Sequence, residues 1–399
     1  MGKLKGFTSI KDTIGLVDGE VFTTGNIKIS TNFGASKLDS IIKTAILILL
    51  AGYKEKEKIT VFDNQDLRKL INIKQFAELN LNFEKASPRH FDLSINYTQR
   101  IKQRTVKTKP ILRNINLDNY DSLLLLSGGI DSVGGLLRCR SNGVNVLPMW
   151  VDFGQKNQIS ERKIIQKIEK KLGIPILKIR IDLKNYVNKG WVRWKYGIIP
   201  CRNFLFVTLA GLFVAINQQK EIKIYLCASR GEINSNHNDE SLNFYRTVSK
   251  LLSLYHKKII KVWTPFYGYN KTEIIKYWEK KWYPKYNISV RDATTCFLGN
   301  NCGSCSACYY RRISTSVANV KDKGYKNSPF KDKGRIIRDY YIPGFKNWGK
   351  IRKIDFLIAL AKNRSILPLE AKKFLKKHIS WYNKEKGERL NSLEKINIS

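Results

Sequence analysis

From Leu123 onward the apolar positions of this chain switch repeatedly between unbroken runs and runs spaced three and four apart, and each switch predicts a change of element. Leu123–Leu126 reads as a buried strand and Ser132–Arg140 as a helix. Val144–Phe153 is a second strand, ending in Asp152-Phe153-Gly154-Gln155. Ile159–Leu172 repeats its apolar residues at helical spacing, and after Pro175 a third strand spans Ile176–Ile181. Asn203–Asn217 is an apolar helix, Ile222–Ala228 a strand, and Asn270-Lys271-Thr272-Glu273 opens a helix that runs through Trp278. Strands alternating with helices imply α/β architecture, a doubly wound parallel sheet covered on both faces. Ligands of such sheets bind outside the carboxyl ends of the strands, where Ser127, Asp152 and Ser229 converge.

The flanks read differently. Residues 1–118 mix short alternating segments, Asn26–Ser30 and Phe91–Tyr97, with one strong helix near Lys37–Leu50, and carry no catalytic motif. The basic connector Lys102–Lys109, ending at Pro110, marks a boundary. The C-terminal part, with Trp348, Phe356–Ala361 and the basic, helix-like Leu369–Tyr382, suits either docking of a partner or a basic amphipathic cap on the core. The expected organisation is an α+β unit over 1–118, the α/β unit over 119–315 and a basic, mainly helical extension over 316–399.

Composition adds bounds. A chain of 399 residues with 43% hydrophobic content can bury more than one core. Its longest apolar runs, Ile41–Ala51 and Phe204–Ile216, fall short of the roughly 20 residues that a membrane span needs. Met1–Gly6 has no apolar stretch like a signal peptide, and Gly6 stands where a myristoylation signal wants Ser or Thr, so a cytoplasmic location is expected. Lys and Arg number 72 against 33 acidic residues, a net charge of +39. Spread along the whole chain, this excess should attract nucleic acid or an acidic partner; the abundance of Lys, Ile and Asn equally fits an AT-rich genome.

The chemistry centres on Ser127-Gly128-Gly129-Ile130-Asp131-Ser132, between a strand and a helix. Glycines bring backbone N–H groups close to an anion, and a helix start adds unpaired donors and a positive dipole end. The loop therefore predicts a phosphate site, with the hydroxyls of Ser127 and Ser132 as further donors and Asp131 alternatively a helix cap. It matches neither the Walker A pattern nor G-x-G-x-x-G. The four histidines form no nucleophile–base constellation, and His237 lacks the zinc-deaminase H-x-E pattern.

Of seven cysteines, Cys296, Cys302, Cys305 and Cys308 fall in C-x5-C-x2-C-x2-C, with Gly303 and Ser304 at the tight turn. Four thiolates make a closed tetrahedral Zn2+ site, and an iron–sulfur cluster takes the same four ligands. Cys139, Cys201 and Cys227 are expected to be small buried side chains.

The Ser127–Ser132 hexapeptide resembles the pyrophosphate loop of the PP-loop ATP pyrophosphatases, of the adenine nucleotide α-hydrolase-like fold. Taken with Asp152-Phe153-Gly154-Gln155, Pro200-Cys201-Arg202-Asn203, Thr264-Pro265-Phe266 followed by Lys271-Thr272-Glu273-Ile274-Ile275, and the cysteine cluster with Arg311, it resembles the 7-cyano-7-deazaguanine synthase (QueC) branch. These features cover about residues 119–315. The resemblance implies ATP-dependent adenylylation of a carboxy-deazaguanine, pyrophosphate release, transfer to an amine, and a structural zinc. It implies that Ser127, Gly128, Gly129, Asp131 and Ser132 hold pyrophosphate with Mg2+, that Asp152 and Gln155 line the nucleotide side, that Arg202 and Asn203 face the activated carboxylate or phosphates, and that Lys271 neutralises developing charge. For Lys271 the plain reading is a solvated residue in a helix's first turn, and for Gln155 a turn closure.

Cys201 departs from the glycine usual in the family, and Gly231–Phe244 lacks its Tyr-Pro-Asp core. The long flanks are similar to those of QueC-like proteins of anti-phage operons, the Qat and type IV CBASS systems, which implies a partner protein of the same operon as the amine acceptor. Alternatives are a PP-loop tRNA-modifying enzyme and a non-catalytic nucleotide-binding subunit.

Overall fold

A computed structural model of the protein describes residues 22–24, 27–29, 117–152, 154, 155, 157–180, 202–215, 218–230, 240–299, 301–331 and 336–395. The expected helix near Lys37–Leu50, the alternating segment Phe91–Tyr97, the connector Lys102–Lys109, Cys201, His237 and most of Gly231–Phe244 lie outside the described residues. Of the first 116 residues only an antiparallel hairpin is described, β1 (Phe22–Thr24) with β2 (Ile27–Ile29).

The α/β unit is built on five parallel strands: β3 (Ser122–Leu125), β4 (Val146–Asp152), β5 (Leu177–Arg180), β6 (Glu221–Tyr225) and β7 (Ile259–Trp263). Their order is β5-β4-β3-β6-β7. The chain winds outward from β3 through α1 (Ile130–Ser141), β4 and α2 (Gln158–Leu172) to β5. It then returns through α3 (Arg202–Ala215) to β6, and passes α4 (Leu242–His256) to β7. The direction reverses beside β3, whose register neighbours are β4 (Leu125 with Met149) and β6 (Leu124 with Tyr225). This is the topological switch point, and the Ser127 loop leaves the carboxyl end of that strand.

β3 and β4 are buried along their whole length, as continuous apolar runs demand in a covered parallel sheet. β6 and β7 instead alternate, Ile222, Ile224, Ile260 and Val262 being buried while Lys223, Ile259, Lys261 and Trp263 are exposed. Among the described residues, this edge of the sheet is therefore covered on one face. The signal was in the sequence, since Ile259-Ile260-Lys261-Val262-Trp263 has the period of two that a half-solvated strand shows.

Helix ends follow local chemistry. Ser241 caps α4 by accepting the N–H of Phe244 at 3.1 Å, and α2 stops at Gly173 in the left-handed region. α5 (Lys271–Tyr277) begins with a reciprocal capping box, Asn270 Oδ1 accepting the N–H of Glu273 (3.1 Å) and Glu273 that of Asn270 (3.0 Å). It outlasts the expected end at Trp278, passing into a π-helical turn, Trp278–Trp282, and a last turn closed by Asn287 in the left-handed region. Trp278 and Trp282 are buried there against α1 and Phe266.

After the cysteine segment, α6 (Ser306–Val317) buries Tyr309, Ile313 and Val317 in a second core with α7 (Lys350–Lys362), α8 (Leu369–Lys377) and α9 (Ile379–Lys395). The C-terminal helices therefore share a core with the helix that carries the last cysteine. Cys139 is buried as expected, whereas Cys227 is only half-buried.

Candidate active site

β3 hands the chain to the loop with its carboxyl end pinned, Leu126 N–H donating to the Met149 carbonyl at 2.7 Å. Gly128 takes φ +75°, and a Cβ there would lie 2.5 Å from Ile164 Cγ2 of α2, so only glycine fits. Gly129 takes the N-cap position of α1. The serine hydroxyls fold the loop on itself. Ser132 Oγ accepts the Ser127 N–H (3.1 Å) and donates to the Gly129 carbonyl (3.2 Å), and the two hydroxyls lie 3.1 Å apart.

Since Gly129 occupies the cap position and offers no side chain, Asp131 is the second helical residue and not the cap. Its Oδ2 lies 2.7 Å from Lys271 Nζ at the start of α5. The plain reading of Lys271 is corrected as well: its side chain is 9% exposed and its ammonium sits 4.7 Å from the centre of the Tyr310 ring. The Arg352 guanidinium lies 4.8 Å from that ring and 4.5 Å from Trp348. Tyr310, on α6, thus stands between a cation of the α/β unit and one of α7.

The start of α5 is held from the C-terminal helices. Arg389 of α9 donates to Asp355 Oδ1 (2.7 Å) and Oδ2 (3.1 Å), to Glu273 Oε1 (2.7 Å) and to Asn270 Oδ1 (3.1 Å). Asp355 of α7 also accepts the Thr272 hydroxyl at 2.6 Å. Lys271 is flanked by two residues of this buried network.

A second group gathers past the end of β4. Asp152 accepts from Gly154 N–H (3.2 Å), from Gln158 Nε2 and from Arg162 (3.4 Å). Gln155 is buried and donates to Glu161 at 2.6 Å; Glu161 also accepts from Trp150 Nε1 (3.0 Å) and Asn157 Nδ2 (2.8 Å). Burial pushes the Glu161 carboxyl up to about 7, against the pull of these donors and of the Arg202 guanidinium. Arg202 opens α3, with its Nε buried, and Asn203 donates to Glu240 at 3.3 Å. Ser229 is fully buried in the turn after β6. That turn is tied to the one after β7 by Thr264, whose hydroxyl donates to the Ala228 carbonyl at 2.6 Å and accepts the Phe266 N–H at 3.1 Å. The Thr264-Pro265-Phe266 motif is thus accounted for by local structure.

The four expected metal ligands come together. The sulfurs of Cys296, Cys302, Cys305 and Cys308 all lie within 4.8 Å of one another, and those of Cys302 and Cys308 are 3.9 Å apart. A tetrahedral Zn2+ with four thiolates requires sulfurs about 3.8 Å apart, which this set fits. The N–H groups of Cys302 and Ser304 point at the sulfurs of Cys296 (3.3 Å) and Cys302 (3.4 Å). Gly303, at φ +74°, leaves no room for a Cβ against the Asn327 carbonyl. The knuckle is anchored on the loop itself, Thr294 N–H donating to the Gly128 carbonyl at 2.8 Å, and Ser160 of α2 bonding to the Gly299 carbonyl. Arg311 holds the approach to it, donating to the Ala293 (2.6 Å) and Val290 (2.9 Å) carbonyls and to Asp322.

Glu161, Tyr310, Arg352, Asp355 and Arg389 were not singled out from the sequence. Only the Asn270–Glu273 capping box was legible as a local pattern. A partner of Asn270 that lies 119 residues away leaves no sequence signal.

Among solved structures, the chain is similar to one described as a predicted subunit of a tRNA methyltransferase from Methanocaldococcus jannaschii, at 16% identity and TM-score 0.28 over 44% of this chain and 92% of that one. Among proteins of assigned function it is 28% identical over 222 residues to the 7-cyano-7-deazaguanine synthase of Acetivibrio thermocellus, covering 50% of this chain and 95% of the relative. It is 26% identical over 251 residues to that of Leptospira interrogans (57% and 100%), and 24% over 230 residues to that of Methanococcus aeolicus (50% and 97%). The family model of QueC, the queuosine biosynthesis protein, matches residues 121–318, so the loop, the ends of β4 and β6 and the whole cysteine knuckle lie in the part of the chain that is similar to QueC.

Proposed function

We propose that this protein uses ATP to adenylylate a carboxylate of the 7-carboxy-7-deazaguanine type and passes the acyl group to an amine. The observation that carries the reading is the Ser127–Ser132 loop at the switch point of the sheet, with Lys271 set on Asp131. In the first step a carboxylate oxygen of the substrate bonds to the α-phosphorus of ATP, and the bond to the bridging α,β-oxygen breaks, releasing pyrophosphate. In the second the amine nitrogen attacks the acyl carbon, AMP leaves and the nitrogen gives up a proton.

The chain's part is positioning and charge. Backbone N–H groups from Gly128 to Ile130, at the start of α1, face departing phosphate oxygens. Ser127 and Ser132 exchange their mutual hydrogen bonds for bonds to phosphate. Lys271 balances charge on the leaving pyrophosphate. Mg2+, when bound with ATP, supplies further charge neutralisation, with Asp131 the carboxylate that the loop offers it. Arg202 and Asn203, at the start of α3, take the activated carboxylate, while Asp152 and Gln155 border the nucleotide. Zn2+ on the four cysteines is structural, because four thiolates leave no position for a substrate.

We assign residues 119–315 to this activity and the flanks to an acceptor. The amine is read as belonging to a partner protein of the same operon, in anti-phage defence. That reading is supported by the helices α7 and α9, which lie beyond the QueC-like residues yet bond to the start of α5. Pyrophosphate release from ATP with 7-carboxy-7-deazaguanine, lost in Ser127→Ala and Asp131→Ala, tests the activation step. A mass shift on a protein co-expressed from the operon, absent with the same variants, tests the acceptor; free nitrile or amide product with no such shift overturns that part alone.

A further inference from the structure

Among the described residues, one face of β6 and β7 is exposed and carries aromatic and basic side chains together. Trp263, at the end of β7, and Tyr267, in the turn after it, stack with ring centroids 5.4 Å apart and planes within 18°, yet are 40% and 49% exposed. They border a groove of about 760 Å3 whose other walls include Tyr269, Lys223, Arg246 and Lys250. Arg138 of α1 lies over Tyr269, its guanidinium 4.3 Å from the ring centre. Lys261 is held by Glu221 at 2.7 Å and adds no free charge. The groove continues around the edge of β7 into a hollow of about 910 Å3 that shares Lys250 and adds Lys220, Lys257 and Lys258. None of the Ser127 loop, Lys271 or the four clustered cysteines lines either one.

Three occupants can be compared by chemistry. An added β-strand is blocked, because the edge N–H groups of Ile260 and Val262 already donate to Ser253 Oγ (2.9 Å) and Ser249 Oγ (2.8 Å) of α4. A second copy seated face to face would bring two sets of the same lysines and arginines together, a like-charge contact with no acidic side chain among the groove's lining residues. A polyanion with unpaired planar bases satisfies both halves of the surface, phosphates on the cations and bases on the exposed aromatic pair.

We propose that this face binds an unpaired nucleic-acid strand, with bases stacked on Trp263 and Tyr267 and phosphates following Lys223, Lys250 and the β7 edge. A duplex keeps its bases stacked on one another and gains only the phosphate contacts.

The test is fluorescence anisotropy of the full chain with a labelled twelve-nucleotide oligouridylate and with a duplex of equal length, over a salt series. The single strand is expected to bind at least tenfold more tightly than the duplex. Trp263→Ala and, separately, Tyr267→Ala should each weaken it by about 5- to 160-fold, the range for losing one stacked base, with the salt slope unchanged. Trp263→Phe keeps a stacking face and should restore most of the loss, which guards against a folding defect. Lys223→Gln with Lys250→Gln should instead lower the salt slope by about 1.4, two contacts at about 0.7 each. Single-strand binding that both aromatic variants leave at the wild-type level, or equal affinity for the duplex, overturns the proposal. So does a wild-type dimer that Trp263→Ala converts to a monomer. Binding needs no ATP, so its failure and a failure of pyrophosphate release are read separately.

Discussion

Replacing Arg389 with alanine removes a cation that faces Asp355 and Glu273 together with Asn270. Arg389 and Asp355 are buried, at 5% and 8% side-chain exposure, and Glu273 is mostly covered at 14%, so water has little access to the Arg389–Asp355 pair. Deleting one partner of a buried pair leaves an uncompensated carboxylate and costs about 3–5 kcal/mol. Urea unfolding should show that loss for Arg389→Ala, and Arg389→Lys, which keeps charge but not the fork of donors, should fall between. The functional consequence is separable from folding. Asn270 and Thr272 flank Lys271, so releasing them should lower kcat for pyrophosphate release more than it raises the KM for ATP, measured at a temperature and protein concentration where the variant stays folded. A destabilisation below about 1 kcal/mol, or a loss of activity that only follows the unfolded fraction, would refute the idea that α9 sets Lys271 from across the molecule.

Four further outcomes are expected. Gly128→Ala forces a Cβ onto Ile164 at a left-handed φ, and should abolish ATP-dependent pyrophosphate release while costing about 1–3 kcal/mol in thermal unfolding. Glu161, with its carboxyl raised by burial to about 7, is easier to ionise in the unfolded chain, so its contribution is complete below about pH 4.5, declines as pH rises through 7 and is level above. The stability difference between wild type and Glu161→Gln should change by about 3 kcal/mol across that window, and a flat difference would contradict the burial argument. Metal analysis should find one zinc per chain with no visible absorption, and Cys305→Ser should lose it. Because Thr294 binds the Gly128 carbonyl, stripping that zinc with a chelator should also lower pyrophosphate release.

Local patterns carried the readable part of the fold. The strand–loop–helix at Leu123–Arg140, the helix after Asn157 and the capping box at Asn270 depend on neighbours within a few residues, and all appear within about two positions of their expected bounds. The helix α4 and the edge strand β7 were not legible, because their local signals are slight: one cap residue, Ser241, and five alternating residues, Ile259–Trp263. The cysteine cluster was legible because ligand spacing is itself local. Long-range pairings were not: Lys271 with Asp131 joins residues 140 positions apart in sequence, and Arg389 reaches Asn270 across 119. Burial of Lys271 and Glu161 follows from packing that no window of the sequence contains.

The central claim, that the Ser127 loop serves cleavage of ATP between its α and β phosphates by an attacking carboxylate, is tested most directly with 7-carboxy-7-deazaguanine labelled with oxygen-18 in its carboxyl group. The account predicts AMP carrying one oxygen-18, formed in step with unlabelled pyrophosphate, and neither product from Asp131→Ala. ADP and phosphate as products, or AMP free of the label, would contradict it.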